Sequence, residues 1–159
     1  MKKLFLSFIL LATALCGKAQ FDEGTTYIGA YTSSLGFTYN TAEKFKLNMG
    51  VTAGKFLWDD VLAKAYVGYN HTEKEDAFVL GLGGRYYFEQ NGIFMGLGAE
   101  YAHAKPNFNS FSIPAEVGYA FFINHYLTLE PSVYYKMSLT DFSDESTIGF
   151  KVGLCFYFE

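Results

Sequence analysis

The residues in this chain equipped for chemistry are few. Histidines stand at His71, His103 and His125, and His103 precedes Ser110 and Ser112 by seven and nine residues. A hairpin there would pair a general base with a hydroxyl nucleophile, an acyl-transfer arrangement, although any hairpin brings such residues close and spacing alone is thin support. A metal site is not expected. His125 falls at the opposite end of the predicted elements from the other two histidines, and no cysteine or acid stands at ligand spacing. Gly81-Leu82-Gly83 and Gly96-Leu97-Gly98 evoke phosphate loops but sit inside strand-like stretches and open no helix. Asn70-His71-Thr72 matches a glycosylation acceptor, as short polar stretches do by chance. The runs 73–76 and 141–145 are acidic and read as solvated loops. No catalytic, cofactor-binding or metal residue is assigned, and no cofactor is expected.

The elements that would position these residues are strands. Residues 150–158 put Phe150, Val152, Leu154, Phe156 and Phe158 on one parity and Lys151, Gly153, Cys155 and Tyr157 on the other. Side chains alternate faces along a strand, so one face is apolar and the other polar. The pattern recurs eight times, predicting strands over 25–38, 44–57, 61–71, 77–89, 92–104, 110–123, 126–139 and 147–158. Trp58-Asp59-Asp60, Glu89-Gln90-Asn91-Gly92 and Asn124-His125 read as tight turns. The intervening segments 39–43, 72–76, 105–109 and 140–146 are longer and more polar.

Energy decides which parity faces out. Lys46, Lys64, Arg85, Glu100, Glu116, Glu130, Lys136 and Lys151 lie within strands and share the parity opposite the apolar residues. Each basic residue among them would cost about 2–4 kcal/mol facing lipid near the midplane, a sum larger than the usual net stability of a domain. They must point inward, with Gly50, Gly54, Gly68, Gly81, Gly83, Gly96, Gly98, Gly118 and Gly153 giving them room beside Tyr66, Tyr87, Tyr134 and Tyr157. The parity of the first strand stays open. Five bases against three acids predicts a salt-bridge network with two positive charges unexplained. Outside, Leu80, Leu82, Ile93, Met95, Leu97, Ile113, Val117, Leu127, Leu129, Val133, Val152 and Leu154 form an apolar band. Aromatic girdles are expected at its ends, from Phe56, Trp58, Phe88, Phe121, Tyr126 and Phe158 on the turn side and Tyr69, Tyr101, Phe111 and Tyr135 on the loop side. A soluble barrel or sandwich would need the opposite orientation. The fold expected is all-β: an eight-stranded antiparallel up-and-down transmembrane β-barrel whose narrow polar lumen is packed.

Composition agrees. Lys2 and Lys3, the apolar run Leu4 to Leu15 and the small residues Gly17 and Ala19 make an export signal, predicting a cleaved leader over 1–19 and one domain over 20–159. The apolar run is too short to span a bilayer as a helix. Cys16 suggests a lipoprotein, but Leu15 before it is bulkier than such signals carry. Removing Lys2, Lys3 and Lys18 leaves nine basic residues against sixteen acidic, a formal charge of −7 that argues against nucleic acid. Cys155 is then alone, which excludes an internal disulfide.

The stretch Gly24-Thr25-Thr26-Tyr27-Ile28-Gly29, the run Val51 to Asp60, Gly83-Gly84-Arg85-Tyr86-Tyr87-Phe88 and the closing Gly153-Leu154-Cys155-Phe156-Tyr157-Phe158 resemble the small outer-membrane β-barrel family of Gram-negative bacteria. Its architecture is that of the transmembrane domain of outer-membrane protein A and of outer-membrane protein X. One departure is Glu159 after the aromatic Phe158, because such barrels commonly end on an aromatic read by the assembly machinery. The resemblance implies a monomer in the cell outer membrane that meets membrane lipid, lipopolysaccharide and the barrel assembly machinery, and that presents its loops to an extracellular ligand. The acidic loops would bind divalent ions among lipopolysaccharide phosphates only weakly. The function expected is non-enzymatic, structural or loop-mediated. The alternatives are an outer-leaflet lipid A-modifying enzyme built on His103 with Ser110 or Ser112, and a narrow pore.

Overall fold

A computed structural model describes residues 21–38, 47–71, 76–88, 91–104, 108–139 and 146–158. The strands are β1 (Thr26–Thr38), β2 (Leu47–Trp58), β3 (Val61–His71), β4 (Asp76–Tyr87), β5 (Ile93–Ala104), β6 (Phe108–Tyr119), the two-residue β7 (Phe121–Phe122), β8 (Leu127–Ser138) and β9 (Thr147–Phe158). Each pairs antiparallel with its neighbour, β1 with β9 and β6 with β8, so the sheet closes into an eight-stranded barrel. The predicted leader 1–19, Lys46, the turn residues Glu89 and Gln90, and most of the four long connections lie outside the described residues.

β7 continues β6 in the same register, since Gly118 faces Ser132 and Phe121 faces Leu129. The gap falls opposite Pro131. The β5–β6 ladder likewise pairs Leu97 with Ala115 and Glu100 with Ser112 but skips Gly98 and Ala99, opposite Pro114 and Ile113. Proline has no N–H to give a ladder, so each gap lies on the side where the missing donor would have pointed. β6 is thus interrupted on both edges, once by its own proline and once by its neighbour's.

The turns use side chains to hold the backbone. Asn124 Oδ1 accepts from the amides of Tyr126 (2.8 Å) and Leu127 (2.9 Å), and Asn91 Oδ1 from that of Ile93 (2.9 Å). Asp60 adopts a left-handed φ of 65° between β2 and β3.

The inward and outward parities are as the charge argument requires. Leu80, Leu82, Met95, Leu97, Val117, Val133 and Leu154 are exposed, whereas Arg85, Glu100, Glu116 and Glu130 are buried. β1 resolves the parity left open: Tyr27, Gly29 and Ser33 are buried, and a register shift against β9 falls between Ser33 and Leu35. Phe56 is a correction. Expected in the outer girdle, it is 1% exposed in the interior, because it shares the inward parity of Gly50 and Gly54. A register shift between Phe56 and Trp58 then turns Trp58 outward, 61% exposed.

Candidate functional site

The lumen is divided along its axis. On the turn side Phe21, Tyr27, Phe56, Leu62, Tyr87, Phe94, Ala120, Cys155 and Tyr157 form a core, with Phe122 packed against it. Phe21 is its centre, stacked on Tyr87 at 4.0 Å and within 5.8 Å of Phe56, Phe122 and Tyr157. The segment before β1 folds into the barrel mouth, where the Phe21 carbonyl accepts from the Asp60 amide at 2.9 Å. The Asp60 carboxyl at this rim is held above the usual carboxylate range, first by desolvation and then by Asp59 and Asp22.

Above this plug sits a network of charges on six strands. Arg85 of β4 donates from Nε to Glu116 (2.6 Å) and from Nη1 to Glu130 (2.6 Å) and the Tyr27 hydroxyl (3.0 Å), while its guanidinium lies 4.1 Å from the Phe94 ring centroid. Glu116 of β6 also receives Lys64 of β3 and Lys151 of β9. Glu130 of β8, 1% exposed, accepts from Tyr27 (2.9 Å), Tyr157 (2.6 Å) and Thr128 (3.0 Å) as well. A buried carboxylate is tolerable only with such saturation by cation and hydroxyl donors. One level nearer the loops, Glu100 of β5 pairs with Lys136 of β8 at 2.5 Å and accepts from Tyr66 at 3.2 Å.

Glycine makes these approaches feasible. A Cβ on Gly96 would lie 2.8 Å from Glu116 Cγ and 3.1 Å from Arg85 Cγ, so the central pair crosses over a residue without a side chain. A Cβ on Gly81 would lie 2.1 Å from the Tyr66 ring, which lies across that backbone.

Against the network and toward the loop side the lumen keeps a cavity of about 90 Å³, bounded by Lys64, Arg85, Lys136 and Lys151, by Glu100, Glu116 and Glu130, and by Tyr31, Tyr66 and Tyr134 among others. The expected packed polar lumen is present through the turn-side core and the charge network, with this cavity beside it.

Arg85 and Glu100 project inward from adjacent strands without meeting: the hairpin sets Arg85 opposite Gly96 and Glu100 opposite Gly81, about four residues apart along the wall. The nucleophile pair is not assembled. His103 is exposed and meets the outward-facing Asn109, Nδ1 to Oδ1 2.7 Å, whereas Ser112 is 2% exposed on the inward parity that it shares with Ser110. His125 is exposed in the turn after β7 at the far end, and among the described residues no three His, Cys, Asp or Glu side chains gather into a metal site. Both Gly-Leu-Gly triplets lie in paired strands, with Gly83 facing Gly98. Sequence reasoning missed Phe21, Phe94 and Thr128, and the only signal for Phe21 was one aromatic in a polar stretch just behind the predicted leader.

No protein-family model and no curated protein matches the chain. Solved structures do. The N-terminal β-barrel domain of Pseudomonas aeruginosa OprF aligns with a TM-score of 0.69 at 16% identity, covering 86% of this chain and 98% of that one. Neisserial surface protein A gives 0.56 at 12% identity, with 83% and 95% covered. Ail, the attachment invasion locus protein of Yersinia pestis, solved with the heparin analogue sucrose octasulfate, gives 0.56 at 13% identity, with 85% and 98% covered. The fold is that of the eight-stranded outer-membrane β-barrels. At these identities the likeness concerns architecture alone, and the luminal network belongs to the residues of this chain.

Proposed function

We infer that this chain is a non-enzymatic outer-membrane barrel with a structural or loop-mediated role at the envelope. One observation carries the reading: the exposed surface of the strands is a continuous apolar band, including Leu82 at 65% and Leu97 at 63%, bounded by Trp58, Tyr126 and Phe158 at the turn end and Tyr69, Tyr101 and Phe111 at the loop end. An apolar surface of that extent has a stable environment in lipid and not in water. Bilayer lipid and lipopolysaccharide are then its surroundings, and the barrel assembly machinery its route of insertion. A closed barrel leaves no free sheet edge, which favours a monomer. Ail was solved with a sulfated ligand, but the loop runs here carry Glu73, Glu75, Asp76, Asp141, Asp144 and Glu145, which favour a cationic or divalent-bridged partner.

The plug around Phe21 and the Arg85 network cross the lumen in series, which argues against the pore. The separation of His103 from Ser110 and Ser112 by the sheet argues against that pair as a lipid-modifying centre. The test is refolding of the mature chain into lipid vesicles, followed by planar-bilayer recording and incubation with purified lipopolysaccharide. Insertion with no sustained conductance and no turnover supports the reading. A reproducible open channel, or deacylated or acylated product, overturns it.

A further inference from the structure

The charges that line the lumen do not balance. Among the described residues, four bases (Lys64, Arg85, Lys136 and Lys151) face three acids (Glu100, Glu116 and Glu130) inside the wall. The surplus is localised. Glu130 and Glu100 each hold one cation, whereas Glu116 alone receives Lys64, Arg85 and Lys151. Each ammonium carries three N–H donors, and among the described residues Lys64 and Lys151 reach one carboxylate oxygen apiece. Both border the 90 Å³ cavity, and their side chains are only 8% and 18% exposed. An uncompensated positive charge in such surroundings is costly, and a cavity of this size has room for several waters or one compact anion.

We propose that the loop-side cavity is a binding site for a single phosphate-like oxyanion, held by Lys64 and Lys151 from β3 and β9. Tyr31, Asn48 and Asn70 also line it and present hydroxyl and amide donors, the Tyr66 hydroxyl there being given to Glu100; the carboxylates Glu100, Glu116 and Glu130 share the same wall, so its four bases leave one positive charge in excess. An anion with several oxygens uses donors converging from different strands better than a spherical halide does. The cavity extends toward the loop end of the wall. Ser33, Asn48 and Asn70 lie on one cross-strand level of β1, β2 and β3, one to five residues from the ends of those strands, and all three border the cavity. The opposite end is closed by Phe21 and its neighbours. This site is independent of the loop-mediated function inferred above.

The site is tested by linkage. The mature chain is refolded in a phosphate-free non-ionic detergent and unfolded by urea, in sodium phosphate or in sodium chloride of equal ionic strength. Binding to the folded barrel alone lowers the apparent unfolding constant about tenfold for each tenfold excess of phosphate over its Kd. Lys151→Met removes the surplus charge while Lys64 and Arg85 stay on Glu116, so it should fold and lose the phosphate dependence; Lys64→Met is the second neutralising variant. Broadening of the phosphate 31P resonance by the parent protein, absent with either variant, reads the same contact without unfolding. A parent insensitive to phosphate in both measurements, or a neutral variant as sensitive as the parent, overturns the site and leaves the surplus balanced by water or by the chain's own loop acids. Lipopolysaccharide in place of free phosphate identifies the source: a Lys151-dependent shift with lipopolysaccharide alone assigns the oxyanion to a lipid headgroup.

Discussion

Replacing Arg85 by Met is the sharpest perturbation of the lumen, because it keeps most of the side-chain volume and deletes one charge. The two acids it serves respond differently. Glu116 keeps Lys64 and Lys151, so its loss is small. Glu130, 1% exposed, loses its only cation among the described residues and keeps the hydroxyls of Tyr27, Tyr157 and Thr128. Breaking a buried pair from one side costs about 3–5 kcal/mol, and the remaining hydroxyl donors place this case toward the lower part of that range. The guanidinium over Phe94, at 4.1 Å, adds about 1–2 kcal/mol for a desolvated cation–π contact. A loss of about 4 kcal/mol is expected. Reversible urea unfolding from lipid vesicles measures it, with an unchanged m-value required for the comparison. Glu130→Gln in the same background should restore at least about 2 kcal/mol relative to additivity, since the stranded charge is then gone. A cost below about 1 kcal/mol, or strict additivity, would refute a dry network centred on Arg85.

Three further outcomes are expected. Leu97→Arg, at a position 63% exposed on the outer wall, should destabilise the vesicle-inserted barrel by about 2–4 kcal/mol; His125→Arg in the exposed turn should change little, and equal effects in urea titrations would contradict the membrane-facing orientation. Phe21→Ala should cost about 3–5 kcal/mol by emptying the centre of the turn-side core, and an unchanged urea midpoint would mean that the segment before β1 does not plug the barrel. Asp60→Asn keeps a residue that tolerates left-handed φ and removes a carboxyl whose pKa is raised in the folded state. Such a group contributes stability that is fully present below its unfolded pKa and is lost as pH rises through the folded value. The variant should therefore be more stable than the parent at neutral pH and equal to it in strong acid, as thermal unfolding across pH would report.

The architecture was legible because lipid outside and charge inside write the same period-two signal on every strand. Where that signal is carried by aromatics it loses direction. A ring near the turn end serves equally as a girdle residue in lipid or as part of the plug, so Phe56 could be assigned only by counting parity from Gly50 and Gly54. Parity in turn fails where a bulge intervenes, as at Phe56/Trp58, which is why Trp58 faces out although Phe56 faces in. The two ladder gaps at Pro114 and Pro131 were readable in principle, since proline cannot donate.

The pairing of the charges was not legible, for a geometric reason. Sequence parity says that Arg85, Glu100, Glu116 and Glu130 all point inward, but which of them meet depends on stagger and closure. Arg85 skips its hairpin neighbour Glu100 to reach Glu116 and Glu130, and Glu116 collects Lys64 and Lys151 from across the lumen. Those contacts span 31 to 52 residues of chain and exist only once the barrel has closed. The cavity above them is a difference between wall size and side-chain volume, a quantity with no local signature. Sequence thus placed the charged groups on the right face, while their stoichiometry around Glu116, on which the oxyanion proposal rests, is a property of the closed barrel.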